Sequence, residues 1–392
     1  MVVAGRLVIA SLHEQTLRQA LDRYDDKKIN LQENYFYGEL SEKYRKSKLF
    51  CYFSVAGISK QFQYLFEKES IKNSLISRYL SKLKGFTAGG YGYDQQSGYT
   101  HSILTLHFNK YELNKRTAAL LSIKPEYNRN ILKTPADSLL YYWTNTLDLD
   151  ALWDTYIRKV ESTAAASADI EETVAASAEM SFESLLALAG NSFQVMIHEP
   201  ATIDFVPVPN FNIALSLQDT DKAMAAFYAL FKNSSVPHKN DIYRGVLYTY
   251  WGKEMQKGLQ PVFTFYKDAL YVSSSIAMQR KTIDTILDGN GIAESKGFKQ
   301  HAKDLMLLNN SVAYAEMPGL LDTVEELVHW SGVIMGLQNS KTAYMSRKVI
   351  DGLILPLIEG LKNRYSVFAG RSYFEESRLI METRLILSAE NQ

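Results

Sequence analysis

The feature that most constrains the fold is a segment order that occurs twice in the chain. The first stretch contains GRLVIAS and, after a helical segment, NYFYGELSEKYRKSKLFCYFSVAGI. The second contains DALYVSS and, after a helical segment, KGFKQHAKDLMLLNNSVAYAEMPGL. The aligned positions share apolar, aromatic or hydroxyl character: Ile9 with Val272, Ser11 with Ser274, Phe36 with Phe298, and Tyr52 with Tyr314. Two unrelated segments of similar pattern are the alternative to a repeat.

A helical region and two predicted strands close each stretch. The strands are Gly85–Tyr93 and His101–Phe108 in the first copy, and Arg364–Phe374 and Arg378–Leu387 in the second. We therefore predict an α+β fold in two related copies, with antiparallel-rich sheets and helices packed on one face of each. The predicted domains are 1–133, an N-terminally incomplete first copy plus linker, and 134–392, a complete second copy.

The second copy also has a front half, which opens at Thr134 with the strand LLYYWTN and a long helical region. The predicted elements that follow are strands Phe193–Glu199 and Phe211–Leu217, a helix Asp221–Phe231 capped by Asp219 or Thr220, and strands Tyr243–Trp251, Val262–Tyr266 and Leu270–Ser274. The first copy lacks this front. We therefore expect Met1 to be a truncation point or an internal start, and the first copy to expose a sheet edge.

Two further expectations concern helices and core. Glu161–Met180 is rich in alanine and has no glycine or proline, which favours a lightly packed helix over Ala164–Ala178; a flexible insertion is the alternative. Apolar residues expected in the core beneath the helices are Leu215, Leu217, Val272, Tyr314 and Phe368.

Composition excludes several classes of function. The 392 residues carry 43 basic and 43 acidic side chains, so no net charge favours nucleic acid or an anionic membrane. No apolar run reaches the roughly 18–20 residues of a membrane span, and no signal peptide is visible. The single cysteine, Cys51, allows no internal disulfide and is predicted to lie in a buried strand.

Short motifs that suggest chemistry have simpler structural explanations. His101 and His107 share a strand face but lie about 20 Å apart, at ~3.3 Å per residue, so we predict surface or interface histidines. The S-x-x-K match Ser81–Lys84 lacks its companion motifs and is typical of a solvated helix end. No helix follows Gly89–Gly92, which indicates a glycine-softened strand rather than a phosphate loop.

Pairs of acidic residues give no better candidate for a functional site. Asp25-Asp26 and Asp148-Leu149-Asp150 lack the glycine and glutamate of a calcium loop, and helix capping explains the second pair. His198-Glu199 ends a strand with no partner in view. We therefore predict no catalytic, cofactor-binding or metal-binding residues, no cofactor, and no enzymatic activity.

Several segments of the second copy resemble the bacterial domain-of-unknown-function family 3352. They are TPADSLLYYWTNTLDLDALW, SFESLLALAGNSFQVMIHE, FNIALSLQDTDKAMAAFYAL and the tail from FYKDALYVSSS to NNSVAYAEM, along roughly 134–330. The first copy matches only the tail. Members of this family tend to carry an N-terminal membrane anchor or lipid-attachment signal. The resemblance therefore implies a cell-envelope location, with any anchor upstream of this chain, and implies no catalytic residues.

Three functions remain open on this basis. The first is a non-enzymatic envelope protein that works as a binding or scaffold module with an unidentified protein partner. The second is a small-ligand or lipid-binding protein with a cleft between sheet and helices, which a well-formed apolar cavity would favour. The third is a hydrolase with a dispersed site, which a nucleophile near a histidine in a cleft would favour.

Overall fold

The computed structural model describes residues 2–4, 7–9, 18, 31–59, 83–154, 164–203, 206–233, 237–252, 259–338 and 348–388. The chain divides into two compact units. The first compact unit is Met1–Gln95, Ser102–Ala118 and Glu375–Ile380; the second is Gln96–His101, Ala119–Phe374 and Met381–Gln392. Helices and antiparallel strands make up both units, so the predicted α+β class is confirmed.

The first compact unit contains antiparallel strands with a helix packed on them. The elements are β1 Val2–Ala4, β2 Leu7–Ile9, a 3-10 turn Leu31–Glu33, α1 Tyr35–Lys43, β3 Leu49–Ser54, β4 Phe86–Gln96, β5 Tyr99–Phe108 and α2 Lys115–Leu120. Strands β1 and β2 form a separate hairpin, with Val2 opposite Ile9. Strand β3 pairs with β4, with Tyr52 opposite Gly90, and ends the strand order among the strands that the structure describes.

Glycines in β4 permit close packing of aromatic rings in this unit. A Cβ atom at Gly92 would lie 2.3 Å from the ring of Tyr44, and one at Gly89 would lie 2.3 Å from the ring of Phe53. Tyr44 follows α1 directly and is 3 % exposed. The glycine-softened strand predicted at Gly89–Gly92 is therefore confirmed, and the glycines let α1 approach the sheet.

The second compact unit contains the larger sheet. Its first elements are β6 Glu126–Tyr127, β7 Leu140–Thr144, α3 Leu149–Trp153, α4 Ala164–Ala178, α5 Phe182–Ala187, β8 Ala189–Ile203, β9 Val206–Leu217, α6 Thr220–Asn233, β10 His238–Tyr243, β11 Val246–Trp251, β12 Val262–Tyr266 and β13 Ala269–Ser273. The remainder are α7 Ile276–Asp288, α8 Lys296–His301, β14 Leu308–Asn309, β15 Ser311–Glu316, α9 Met317–Gln338, α10 Leu355–Arg364, β16 Tyr365–Glu375 and β17 Arg378–Leu387.

Within this unit the strand order runs β10-β11-β12-β13-β9-β8-β7-β15-β16-β17. Neighbours pair antiparallel, for example Tyr271 with Ala214 and Tyr314 with Tyr141. The predicted helix Ala164–Ala178 is confirmed as α4, which packs against α6. Asp219 caps α6, because its Oδ1 accepts a 3.1 Å hydrogen bond from the Lys222 amide. No helix in the described part of the chain is long and apolar enough to cross a membrane.

One strand predicted at Tyr243–Trp251 is a hairpin instead. Arg244 and Gly245 have φ of 50° and 83°, so both occupy the left-handed region and reverse the chain between β10 and β11. The added strand β10 is almost entirely exposed, which removes the apolar alternation that identifies strands in a sequence.

Helices cover both faces of the sheet where β11 and β12 lie, so the predicted one-face packing is wrong here. On one face, Ile283 of α7 packs against Val246 and Val262. On the other, the ring of Phe227 in α6 lies 5.4 Å from that of Phe263. Successive side chains of a strand point to opposite faces, so α6 and α7 sandwich the sheet.

This two-sided packing also explains which of the predicted core residues are buried. Tyr314 is fully buried, as predicted, beside Phe298 and Tyr141. The other four candidates, Leu215, Leu217, Val272 and Phe368, are only half-buried. Their strand neighbours take the most buried positions: Ala214, Tyr271, Val367 and Ala369. The assignments of Leu215, Val272 and Phe368 were wrong by one residue, because apolar side chains occur on both faces of these strands, whereas neither neighbour of Leu217 is buried.

Candidate functional site

Helix α6 presents an apolar face to the sheet. Its residues recur at a helical period of three and four, which places them on one side of the helix. They are Met224, Phe227, Tyr228 and Phe231. The opposite wall is built from alternate residues of β11 and β12: Leu247, Thr249, Phe263 and Phe265. Between the helix and these strands lies an apolar cleft of about 140 Å³.

Four phenylalanine rings fix the shape of the apolar cleft. The ring of Phe227 lies 5.7 Å from that of Phe231 and 5.6 Å from that of Phe265. Phe231 in turn lies 5.3 Å from Phe263. These separations and tilted orientations are typical of favourable contacts between aromatic rings. The rings therefore pack against one another along the wall of the apolar cleft.

The polar side chains that line the apolar cleft are those of Tyr228 and Thr249. The Thr249 hydroxyl donates a 2.8 Å hydrogen bond to Oδ1 of Asn240, so it is already engaged. Leu247 is 44 % exposed and lies at the opening. The ring of His238, which is exposed, lies 5.3 Å from that of Phe231. A volume near 150 Å³ with apolar walls accommodates a group about the size of a benzene ring.

A serine, a histidine and an aspartate also meet in the second compact unit. His198 Nε2 lies 3.5 Å from the Ser138 hydroxyl, and His198 Nδ1 lies 3.6 Å from Asp137 Oδ1. The Ser138 hydroxyl, however, donates to the carbonyl of Pro135 at 2.8 Å. Ser138 is 1 % exposed and His198 is 3 % exposed. A substrate cannot reach a serine in the protein interior, so this arrangement does not support the hydrolase hypothesis.

The partners of His198 were missed because they come from a distant segment. Asp137 and Ser138 precede β7, and His198 lies in β8. The neighbouring His198 ring and the Lys281 ammonium hold the pKa of Asp137 below its usual range, although partial burial raises it. This cluster joins the start of β7 to β8 and to α7.

The structure corrects two other sequence interpretations. A surface or interface position was predicted for His107, and the surface alternative is wrong because His107 is 3 % exposed; the ring of Phe36 from α1 lies 5.0 Å from it. His101 is half-buried. Cys51 is exposed rather than buried, because it lies on the outward face of β3, which ends the described strand order.

The remaining candidates are structural or fall outside the described residues. Asp148 caps α3, as predicted, with Oδ1 accepting a 2.8 Å hydrogen bond from the Ala151 amide. Ser81, Lys82 and the Asp25-Asp26 pair lie outside the described residues. Within the described ranges, no group of three or more histidine, cysteine, aspartate or glutamate side chains is arranged to hold a metal ion.

Comparison with known proteins gives one structural similarity to report. No protein-family model matches the sequence, and no curated protein matches it. The solved structure of crystal form III of TP0453 is similar over 68 % of this chain and 95 % of that chain, with 10 % sequence identity and a TM-score of 0.31. A similarity of this size carries no argument about fold or function.

Proposed function

We propose that this protein is a non-enzymatic binding module of the bacterial cell envelope, and that the apolar cleft beneath α6 binds a small apolar ligand. The observation that carries the proposal is a cavity of about 140 Å³ whose walls are four phenylalanines, a methionine, a leucine, a tyrosine and a threonine, with no charged side chain among them. Support for the envelope location comes from the resemblance along residues 134–330 alone.

The chemistry of the walls selects the ligand. Removing apolar surface from water stabilises the complex in proportion to the buried area, while an unpaired polar group in the same place would cost free energy. The Thr249 hydroxyl is already bonded to Asn240, and no lining side chain carries a charge that could pair with a charged ligand. We expect a single aromatic ring or a short alkyl chain to bind with a dissociation constant on the order of 0.1–1 mM.

The experiment uses methyl-labelled methionine and two probes, toluene for the ring and hexanoate for the alkyl chain. Met224 lines the apolar cleft, whereas Met381 is 43 % exposed and lies elsewhere, so each spectrum contains its own reference. We expect toluene to shift the Met224 methyl resonance and to leave that of Met381 unchanged. Hexanoate tests whether an alkyl chain enters with its carboxylate in solvent.

Two matched variants locate the binding. Leu247→Trp should fill the opening and abolish the toluene-induced shift, because Leu247 lies in the wall and is partly exposed. Leu357→Trp is the control, since Leu357 is 59 % exposed on α10. Unchanged binding in Leu247→Trp, or no Met224 shift with either probe, would contradict the proposal.

We also propose that the chain contains two related copies, as the segment order predicted. Two observations support this. Strand β3 pairs with β4 with Tyr52 opposite Gly90, and β15 pairs with β16 with Tyr314 opposite Ala369. A helix with an aromatic residue at the aligned position precedes each pair, Phe36 in α1 and Phe298 in α8. If the copies are related, amide protons at aligned positions of β4 and β16 should alternate in the same way between slow and fast exchange. Different patterns in the two strands would contradict the proposal of two related copies.

A further inference from the structure

The first compact unit has a second cavity, of about 570 Å³, with a lining unlike that of the apolar cleft. It lies between the start of α1, strand β5 and the turn that joins β16 to β17. Its walls carry three glutamates, one arginine, one histidine and two aromatic rings: Glu39, Glu375, Glu376, Arg378, His107, and Tyr35 with Phe36. We call it the acidic cavity. All of its lining residues belong to the first compact unit.

Among the described residues, two buried side-chain atoms in the wall of the acidic cavity make no hydrogen bond, Nε2 of His107 and Oε2 of Glu375, and the second has an ion-pair partner, Arg378. The His107 side chain is 4 % exposed, yet its Nε2 makes no hydrogen bond. Oε1 of Glu39 lies 3.7 Å away, which is too long for a hydrogen bond. Buried polar atoms in folded proteins are nearly always paired, and His107 lines the acidic cavity, so its unpaired Nε2 indicates a missing partner.

The charges around His107 define what that partner is. Burial lowers the pKa of His107; Glu39 opposes this, while Arg378 and Lys43 add to it. The ring is therefore neutral at pH 7, and one nitrogen can accept a hydrogen bond. Arg378 is already engaged: its Nη1 lies 2.8 Å from Glu39 Oε1, and it also pairs with Glu375. Three carboxylates against one guanidinium leave the lining of the acidic cavity net negative, which favours a cation.

A cation with its own hydrogen-bond donors fits better than a metal ion. In the described part of the chain no three histidine, cysteine, aspartate or glutamate side chains come together as metal ligands. The Phe36 ring stands 5.0 Å from the imidazole, and Tyr35, 75 % exposed, stands at the rim 5.5 Å from Phe36. Aromatic faces attract ammonium groups and pack against alkyl stems.

We propose that the acidic cavity binds a primary ammonium group on an alkyl chain. The ammonium donates one hydrogen bond to Oε1 of Glu39 and another to Nε2 of His107, and the alkyl chain leaves past Phe36 and Tyr35. Two sources share this chemistry, a free diamine and the side chain of a lysine in a peptide. The proposal is independent of the apolar cleft, which lies in the other compact unit.

The test titrates the full chain with 1,4-diaminobutane, with Nα-acetyl-lysine amide, and with 1-butanol as the uncharged control. Calorimetry measures affinity, and long-range ¹H–¹⁵N spectra of the histidine rings report on His107, assigned with His107→Phe. We expect both amines to bind and to shift His107 Nε2, and the alcohol to do neither. Stronger binding of the diamine or of the lysine amide identifies the source.

Glu39→Gln should weaken amine binding at least about tenfold, since hydrogen bonds to charged groups contribute more than neutral ones. Glu42→Gln is the matched control: Glu42 lies on the same helix, with a side chain 74 % exposed. The ring spectra of the unmodified protein test the proposal even if a variant fails to fold. Absence of amine binding, an unmoved His107 resonance, equal affinity in Glu39→Gln, or Zn²⁺ binding that amines do not compete with would each overturn it.

Discussion

Nδ1 of His198 lies 3.6 Å from Oδ1 of Asp137, and this contact joins a strand in the sheet to the segment that leads into β7. Lys281 of α7 also pairs with Asp137, so one carboxylate links three elements. The imidazole is almost fully buried, while the Asp137 side chain is 56 % exposed. Solvent screens the carboxylate and limits the stabilisation that it supplies.

The Asp137 contact predicts a pH dependence of stability. The pKa of Asp137 is lowered in the folded chain, so its contribution is fully present above the unfolded pKa of about 3.9 and is lost as the pH falls below that value. Asp137→Asn should lower the free energy of unfolding by about 0.5–1 kcal/mol at pH 7 and by less at pH 2.5. Urea titrations at both pH values measure this difference. Asp268→Asn, in an exposed turn, is the control; an equal loss at both pH values would exclude the contact as its source.

A second prediction concerns the glycines of β4. Gly92→Ala should destabilise the first compact unit by about 1–3 kcal/mol, because its Cβ would lie 2.3 Å from the Tyr44 ring. The ring cannot easily move, since its hydroxyl lies 2.6 Å from the Thr105 hydroxyl. Amide exchange along β4 measures the loss. Gly360→Ala, an exposed position in α10 with open space around it, should instead stabilise by roughly 0.5–1 kcal/mol.

Helices and strands could be predicted from the sequence where burial of one face imposes a regular spacing of apolar residues. The strand Arg378–Leu387 and the helix Ala164–Ala178 have the predicted bounds, and Asp219 caps α6 as predicted. Strand β10 could not be predicted, since an exposed edge strand leaves no apolar alternation. Its turn also lacks the asparagine-glycine or aspartate-glycine pair that identifies a tight hairpin.

The candidate sites depend on information that a single sequence does not hold. Helix α6 was predicted, but the apolar cleft requires knowing which strand face meets it. Leu247 and Tyr248 are both apolar neighbours in β11, yet the first faces α6 and the second belongs to the cluster around α7. Likewise, His107 is buried only because Phe36 packs on it from a distant helix.

A third prediction tests a partly buried ion pair in the second compact unit. Arg371 donates two hydrogen bonds to Oε2 of Glu382, at 3.0 and 2.7 Å, and the Tyr373 hydroxyl donates to Oε1 at 2.9 Å. The two charged side chains are 17 % and 14 % exposed. Arg371→Met should cost about 3–5 kcal/mol, because it leaves a largely buried carboxylate without its partner.

The control for this ion pair is the double variant Arg371→Met with Glu382→Met, measured by the same urea titration. Removing both charges relieves the uncompensated carboxylate, so the double variant should recover at least half of the loss. A double variant as unstable as Arg371→Met alone would show that the uncompensated charge of Glu382 is not the source of the loss.

The last prediction changes the size of the apolar cleft. Phe227→Ala removes the ring that contacts Phe231, Phe263 and Phe265, and Phe227 is half-buried. We expect a loss of about 2–3 kcal/mol in the free energy of unfolding, below the range for a fully buried phenylalanine.

The larger apolar cleft should also accept a bicyclic ligand. The affinity for naphthalene relative to toluene should rise about tenfold, since an added apolar group in a matching cavity contributes on that order. Methionine methyl spectra at Met224 measure both ligands, with Leu357→Ala as the control outside the cleft. An unchanged ratio between the two ligands would mean that the site of binding is not the space beside Phe227.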